Sequence, residues 1–314
     1  MYKRQLVIGA TDRPGGEVVR ALADRGVPTR ALVRSPERAA RVLPPSVVRV
    51  PGDVRDGASL SRALAGVDAV FYASPHEPDE EALAASLIDA TTTARARLVF
   101  LGVHADGASA LTRWLGRMVF GALMPHYRPK LRLAERIRSA GAVLLTATNF
   151  FQNDELFRDS ILGGELVTPL SARGVNRVDV RDIGDAAARA LVDRSIAPGG
   201  HPVVGAESLS GEACAAICSR TLDRPVRYTG DDRARFEREA KAVLEGKKLD
   251  DILASYRVLG RMQVATDARE VARTTALLGR APRRYEDYAR DAATRWERAI
   301  ADGPPSTLQR ASIP

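Results

Sequence analysis

Cysteine is almost absent: the 314 residues hold only Cys214 and Cys218. Two thiols with no histidine near them in sequence exclude a disulfide framework and argue against a metal site. Their i, i+4 spacing puts both on one face of a helix, where they read as small buried hydrophobes in a reducing cytoplasm. Lysine is nearly as scarce, at 3, 130, 241, 247 and 248 only, and arginine supplies the rest of the 47 basic residues. The net charge of +8 is interleaved with Asp and Glu along the chain. There is no basic block and no aromatic-rich basic strand, so the charge reads as solvated surface and no nucleic-acid partner is expected. Long apolar runs are missing too. Leu111 to Met124 is interrupted by Arg113 and Arg117 and falls short of the roughly 20 residues that a membrane span needs. An apolar run begins at residue 5, which leaves no room for a signal peptide before it, and a cytoplasmic protein is expected.

What the chain does have opens at once. Leu6-Val7-Ile8 runs into Gly9-Ala10-Thr11-Asp12-Arg13-Pro14-Gly15-Gly16 and then into Val18-Val19. A strand, a glycine turn and a helix in that order form the layout of a dinucleotide-binding loop. Such a loop wants glycine at 9, 12 and 15: the first for the tight turn, the second for backbone approach to a pyrophosphate, the third for helix–strand packing. Position 12 is Asp. It places a carboxylate where phosphates would sit, at the positive end of a helix. At about 4 Å from a phosphate that is worth roughly 4 kcal/mol at an effective dielectric near 20, falling to about 1 kcal/mol when exposed.

Apolar runs then alternate with helical periodicity. Strands are expected at 5–10, 28–34, 46–52, 68–74, 97–103 and 142–148, with helices at 15–26, 57–65, 79–95 and 110–140. Continuous Val/Ile/Leu-rich strands between helices indicate an α/β fold, a Rossmann-type doubly wound parallel sheet. Residues 1–155 should form this domain, with 175–205 completing the sheet. Beyond 150 the pattern is irregular: a short helix near 152–162, strands near 176–181, 201–205 and 225–229, then helices to about 300. Residues 156–174 and 206–302 are assigned to a smaller C-terminal α+β part, and 303–314 to a flexible tail.

The landmarks in order resemble the NmrA-like family of atypical short-chain dehydrogenases/reductases. They are Gly9-Ala10-Thr11 with Gly15, Arg30-Ala31-Leu32-Val33-Arg34, Gly52-Asp53-Val54, Ala65-Gly66-Val67-Asp68-Ala69-Val70, His126-Tyr127-Arg128-Pro129-Lys130 with Glu135, Asn149-Phe150-Phe151-Gln152-Asn153, Val178-Asp179-Val180-Arg181-Asp182-Ile183 and Leu222-Asp223-Arg224-Pro225-Val226. The resemblance spans nearly the whole chain. It implies an NAD(P)-binding domain with a smaller substrate-binding part.

The candidate cofactor residues are Gly9, Thr11, Asp12, Arg13, Gly15, Arg34, Asp53, Val54, Ala73, Ser74, Gly102 and Lys130. Arg34 ends the second strand with a hydroxyl at Ser35 and no acid beside it, which favours NADP(H) over NAD(H). Arg13 offers a second cation. The same Arg34 is also what an arginine-rich surface supplies. Asp53 fits the family's acid near the adenine and equally a turn-forming Asp after Gly52. Typical short-chain dehydrogenases carry a Ser after the fifth strand and a Tyr-x-x-x-Lys pair. Here that strand ends in Gly102-Val103-His104, and Tyr127 lies three residues from Lys130 with Pro129 between them. Proline most easily starts a helix, so Tyr127 is expected just outside it. The resemblance puts Lys130 near the nicotinamide ribose or the substrate carbonyl. Lys130 and His126 are the catalytic candidates, the imidazole or water supplying a proton. His104, Trp114, Met118, Tyr127, Asn149, Phe150 and Phe151 are the candidate substrate pocket. Trp114, Leu115, Met118, Val119 and Ala122 form a helical stripe that reads as core, or as a wall over the substrate.

Three functions remain open at this level. The first is an NADPH-dependent reductase of a small apolar carbonyl, enone or quinone, monomeric or homodimeric. The second is a non-redox enzyme, a cyclase, dehydratase or isomerase, with weakened cofactor binding. The third is a dinucleotide-sensing regulator.

Overall fold

The computed structural model describes residues 4–74, 79–105 and 110–301. Pro75 and the 303–314 tail lie outside them. The chain divides into two compact units. One is Met1–Thr148 with Val180–Val203 and Arg269–Ala281; the other is Asn149–Asp179 with Val204–Ala268 and Pro282–Pro314.

The first unit is built on β1 (Gln5–Ile8), β2 (Thr29–Val33), β3 (Val48–Pro51), β4 (Ala69–Ala73), β5 (Arg97–Val103) and β6 (Val143–Ala147). With Gly199–Val203 they form a seven-stranded sheet in the order Gly199–Val203, β6, β5, β4, β1, β2, β3. Every pairing is parallel. Successive strands are added on one side of β1 up to β3 and then on its other side from β4, the switch point at which a Rossmann fold seats its ligand beyond the carboxyl ends of the strands. Leu6, Ile8, Val70, Tyr72, Phe100 and Leu144 point to one face, into a core with Leu60, Leu87, Leu133 and Ile137. Strands buried on both faces are continuously apolar, and that made them legible in the sequence.

Helices fill the crossovers: α1 (Arg13–Asp24), α2 (Pro36–Ala39), α3 (Gly57–Leu64), α4 (Glu80–Thr93), α5 (Ala110–Leu123) and α6 (Arg128–Ser139). Helix α1 packs on the helix Val180–Val192. It ends as its sequence suggests, with Gly26 at φ +64 just beyond. The short α2 was not anticipated, although Ser35 caps it and Pro36 opens it. The single helix expected over 110–140 is broken. A 3-10 turn, Pro125–Tyr127, separates α5 from α6, since Pro125 and Pro129 each start a turn more readily than they continue one. Trp114, Leu115, Met118 and Val119 are not core: each is exposed, Trp114 by 59%.

The second unit holds two small sheets. Val175–Val178 pairs with Asn149–Phe150 in parallel and with Ser208–Leu209 antiparallel, and Glu165–Leu166 pairs with Arg227–Tyr228. The strand Val175–Val178 therefore does not complete the large sheet; Gly199–Val203 does that, following the helix Val180–Val192. The centre of this unit is Arg177, its largest fully buried side chain. Arg177 Nη1 and Nη2 donate to the two carboxylate oxygens of Asp154 at 3.0 and 2.8 Å. Nη2 also reaches the Phe150 carbonyl at 2.9 Å, and Nε reaches Asn149 Oδ1 at 3.1 Å. Tyr285 Oη donates to Asp154 at 2.7 Å, and the guanidinium lies 5.5 Å from the Tyr285 ring and 5.9 Å from that of Phe151. Burial opposes this charge, but the Asp154 carboxylate outweighs burial and holds Arg177 protonated well above its ordinary range. Cys214 and Cys218 are buried beside this cluster, and desolvation pushes the Cys218 thiol up to about 11. They behave as the inert apolar residues that their spacing suggested.

Removing one partner of such a pair leaves a buried charge uncompensated. Arg177→Met should lower unfolding free energy by about 3–5 kcal/mol, read as a fall in the urea midpoint with an unchanged slope. A loss below about 1 kcal/mol would show that Asp154 reaches solvent once Arg177 is gone.

Candidate cofactor loop and the residues around it

The turn after β1 is shaped by two glycines. Gly9 sits at φ +79, in the left-handed region that side chains rarely adopt. A Cβ on Gly15 would lie 2.0 Å from the Gly9 carbonyl oxygen, so α1 starts in backbone contact with the end of β1. Thr11 and Asp12 are exposed, and Arg13 is half-buried. Asp12 is the N-cap residue of α1, but its side chain caps no backbone N–H. Its Oδ2 instead lies 3.4 Å from where a Gly9 Cβ would be. The carboxylate thus folds back over the glycine turn and leaves the helix N-terminus without a side-chain cap.

At the end of β2, Arg34 is exposed. Ser35 is engaged: its Oγ accepts from Arg38 N at 3.4 Å and donates to Glu37 Oε2 at 3.1 Å. Asp53 takes the turn-forming role, Oδ1 accepting from Arg55 N at 2.9 Å, with Val54 half-buried beside it. Gly52 permits a close approach, since its Cβ would fall 1.9 Å from Ser59 Oγ. Gly102 is buried against Leu144.

Lys130 is not a surface residue. It is 6% exposed and donates from Nζ to the Ser74 carbonyl at 2.7 Å. Glu80 Oε2, equally buried, lies 3.2 Å from Nζ and accepts from Ser74 Oγ at 2.8 Å. The lysine at the start of α6 therefore braces the exit of β4 to the start of α4. Ala73, half-buried, precedes this bracket. Burial, with Glu80 beside it, pushes the Tyr72 phenol well above its ordinary range. Sequence reasoning found Lys130 but missed Glu80; the acidic run Asp79-Glu80-Glu81 at a helix start was the available signal, and it reads first as favourable helix-dipole placement. Tyr127 is the N-cap residue of α6, outside the helix proper, and its ring lies 4.5 Å from that of His126 and 5.5 Å from that of Phe120.

His104 leaves β5 with both ring nitrogens engaged. Nε2 is 3.0 Å from Glu270 Oε1, and Nδ1 is 3.4 Å from Thr146 Oγ1. Glu270 was not anticipated, because it comes from a segment of the chain far past the sheet strands. In the second unit, Asn149 and Phe150 are half-buried, but Phe151 is 3% exposed and packs on Tyr285 and Tyr288. Phe151 is core, and it does not wall a pocket as expected. Among the described residues no group of three or more His, Cys, Asp or Glu could hold a metal, and no helix is long and apolar enough to cross a membrane.

The profile of the NmrA-like family matches residues 1–289. The chain belongs to the NmrA-like family. It is 32% identical to an NAD(P)H azoreductase of Xenophilus azovorans over 256 residues, 79% of this chain and 83% of that one. It is 30% identical to a (4-alkanoyl-5-oxo-2,5-dihydrofuran-3-yl)methyl phosphate reductase of Streptomyces griseus subsp. griseus over 298 residues, 92% of this chain and 97% of that one. Among solved structures, NmrA, a negative transcriptional regulator in complex with NADP, superimposes with TM-score 0.73 at 20% identity, covering 97% of this chain and 99% of that one. That last likeness shows the Rossmann-type fold.

The NmrA-like loop of this chain fits a dinucleotide. The Gly9–Gly15 contact clears the space that a Cβ would fill, and the uncapped start of α1 presents its positive end. Gly9, Thr11, Arg13 and Gly15 would hold the phosphates, Arg34 the ribose of the adenosine, and Asp53 and Val54 the edge of the adenine site.

Asp12 is the discord in that set. Glycine at an N-cap costs only a few tenths of a kcal/mol, so Asp12→Gly should fold normally. It should tighten NADPH binding by about 1 kcal/mol, the exposed end of the electrostatic range, in an equilibrium fluorescence titration. Unchanged affinity would show that the carboxylate folded over Gly9 is not felt by the phosphates.

Lys130→Met tests the bracket. With Glu80 left buried and unpaired, thermal unfolding should fall by about 3 kcal/mol or more, while Lys130→Met/Glu80→Gln recovers part of that loss. Additive losses in the double variant would mean that the two groups act separately.

Proposed function

We propose that the protein is an NADPH-dependent reductase of a small, apolar, conjugated acceptor such as an enone, a quinone or an azo compound. The observation that carries this reading is the glycine-shaped start of α1 with its positive end uncapped. Arg34 is exposed at the β2 end, and the acid nearest to it in sequence, Glu37, is taken up by the Ser35 hydroxyl. Two relatives that match over three quarters of the chain or more are reductases by name, an NAD(P)H azoreductase and a (4-alkanoyl-5-oxo-2,5-dihydrofuran-3-yl)methyl phosphate reductase.

A bound reduced nicotinamide supplies the hydride. The chain's own part is to hold and to protonate. Lys130 fixes the Ser74 carbonyl, and so the course of the chain as it leaves β4, beside which a Rossmann fold seats its ligand. Its charge is balanced by Glu80, which makes it a positioning residue rather than a free acid. His126 Nδ1 or Nε2, or a water, delivers the proton to the reduced acceptor and recovers it from solvent. The exposed apolar residues Trp114 and Met118 favour an apolar substrate.

A regulator that senses the dinucleotide is the second reading, favoured by the shared fold of NmrA. A non-redox enzyme has less support, since neither reductase relative suggests it. Oxidation of NADPH at 340 nm over a panel of naphthoquinones, enones and azo dyes separates these readings. Turnover establishes the reductase; tight NADPH binding with no turnover across the panel establishes the sensor. Absence of NADPH binding removes both.

Cofactor preference is tested at Arg34. Arg34→Ala should weaken NADPH by about 1–3 kcal/mol, the loss of a charge-assisted contact, and leave NADH within about twofold. Equal losses for the two cofactors would assign Arg34 to the surface.

A further inference from the structure

The amide of Asn149 has only one orientation open to it. Its Oδ1 lies 3.1 Å from Arg177 Nε and 3.4 Å from Tyr256 Oη. A guanidinium has donors and no acceptor, so the oxygen of the carboxamide must face it. Tyr256 donates into the same oxygen. Its phenol is pushed up to about 12 by burial, so it keeps its proton at neutral pH. Arg177 is itself held on the Asp154 carboxylate and on the carbonyl of Phe150, in backbone register with Asn149. A flip of the amide would set its NH2 group against the Nε–H of Arg177, donor against donor. Its Nδ2 lies on the opposite limb, and among the described residues no acceptor is placed against it. Asn149 is half-buried, stands two residues past the end of β6, and is followed by the half-buried ring of Phe150.

We propose that Arg177 and Tyr256 lock the Asn149 carboxamide so that its NH2 group is the fixed donor that grips the acceptor oxygen of a conjugated carbonyl substrate. This rests on the reductase reading and narrows it. A donor set in place costs no reorganisation when the substrate arrives. It selects a planar carbonyl compound over a hydrocarbon of the same shape, because the hydrocarbon would leave the Nδ2 hydrogens unpaired. Arg177 is then a positioning residue that acts through Asn149. Nothing in its sequence neighbourhood distinguishes it from the many surface arginines.

Asn149→Asp is the decisive variant. It keeps an acceptor for Arg177 and Tyr256, and removes only the donor. Binding of 2-methyl-1,4-naphthoquinone to the full-length protein is measured by equilibrium dialysis without cofactor, beside 2-methylnaphthalene, which has the same ring and no carbonyl. We expect quinone binding to fall at least about fivefold in Asn149→Asp, with 2-methylnaphthalene and NADPH binding each within about twofold of the parent protein and thermal unfolding unshifted. Tyr256→Phe, which frees one side of the amide, should show a smaller loss with the same selectivity. Quinone affinity unchanged in folded Asn149→Asp overturns the proposal, as does equal loss of quinone and hydrocarbon, or a parent protein that binds no quinone. NADPH binding by the parent is scored separately. Its absence would sink the reductase reading, whereas the dialysis result bears on Asn149 alone.

Discussion

Nothing larger than hydrogen fits between Gly15 and the carbonyl of Gly9, and the first unit is arranged around that fact. A Cβ there would stand 2.0 Å from backbone oxygen, which cannot yield as a side-chain tip can. The start of α1 is pinned from another side as well: a Cβ on Gly184, in the helix Val180–Val192, would meet the Glu17 backbone at 2.7 Å. Two bare backbone contacts thus hold α1 between the end of β1 and a second helix. A helix so fixed cannot slide to accommodate a ligand; the ligand must meet the N-terminus where it stands. That rigidity is what makes the loop a binding device, since preorganised donors lose little on binding.

Each unit also buries one cation against one carboxylate. In the first, Lys130 and Glu80 join α6 to the start of α4 and share Ser74. In the second, Arg177 and Asp154 gather the Asn149–Phe151 stretch. Desolvation largely cancels the Coulombic gain in such pairs, so an apolar substitute of equal volume would hold the fold about as well. What an apolar pair lacks is direction. Nζ fixes one particular carbonyl, and the guanidinium fork fixes an amide, two carbonyls and a carboxylate at once. Both pairs are therefore better understood as setting positions than as adding stability.

The large sheet was legible because its evidence is local. Runs such as Leu6-Val7-Ile8 and Val143-Leu144-Leu145, punctuated by glycine turns, decide strand and crossover within a few residues. The helix over 110–140 was misjudged because the apolar stripe of α5 continues in phase toward α6, and two prolines outweigh that periodicity. Trp114 and Met118 looked like core for the same reason: a stripe reveals a face but not whether anything covers it. The partners in the buried clusters were illegible for a different reason. Lys130 meets Ser74 across 56 positions, Tyr285 meets Asp154 across 131, and His104 meets a carboxylate on Glu270. Composition hid Arg177, one arginine among many, whereas scarcity exposed Lys130.

The charge of Lys130 bears on what chemistry this site can host. A lysine that lowers the pKa of a neighbouring phenol must have its positive charge available to that phenol. Here the ammonium is shared between a carbonyl and a carboxylate, and Glu80 cancels its field at any distance large compared with 3.2 Å. Tyr72, the buried phenol of β4, is driven up first by burial and then by the Glu80 charge. The Glu80 partner sets Lys130 apart from the lysine of a typical short-chain dehydrogenase, as does the three-residue spacing between Tyr127 and Lys130. On the reductase reading proposed above, a carbonyl acceptor would be polarised by neutral donors. Conjugated acceptors tolerate that best, since charge arriving with a hydride spreads over the π-system instead of gathering on one oxygen that demands an immediate proton.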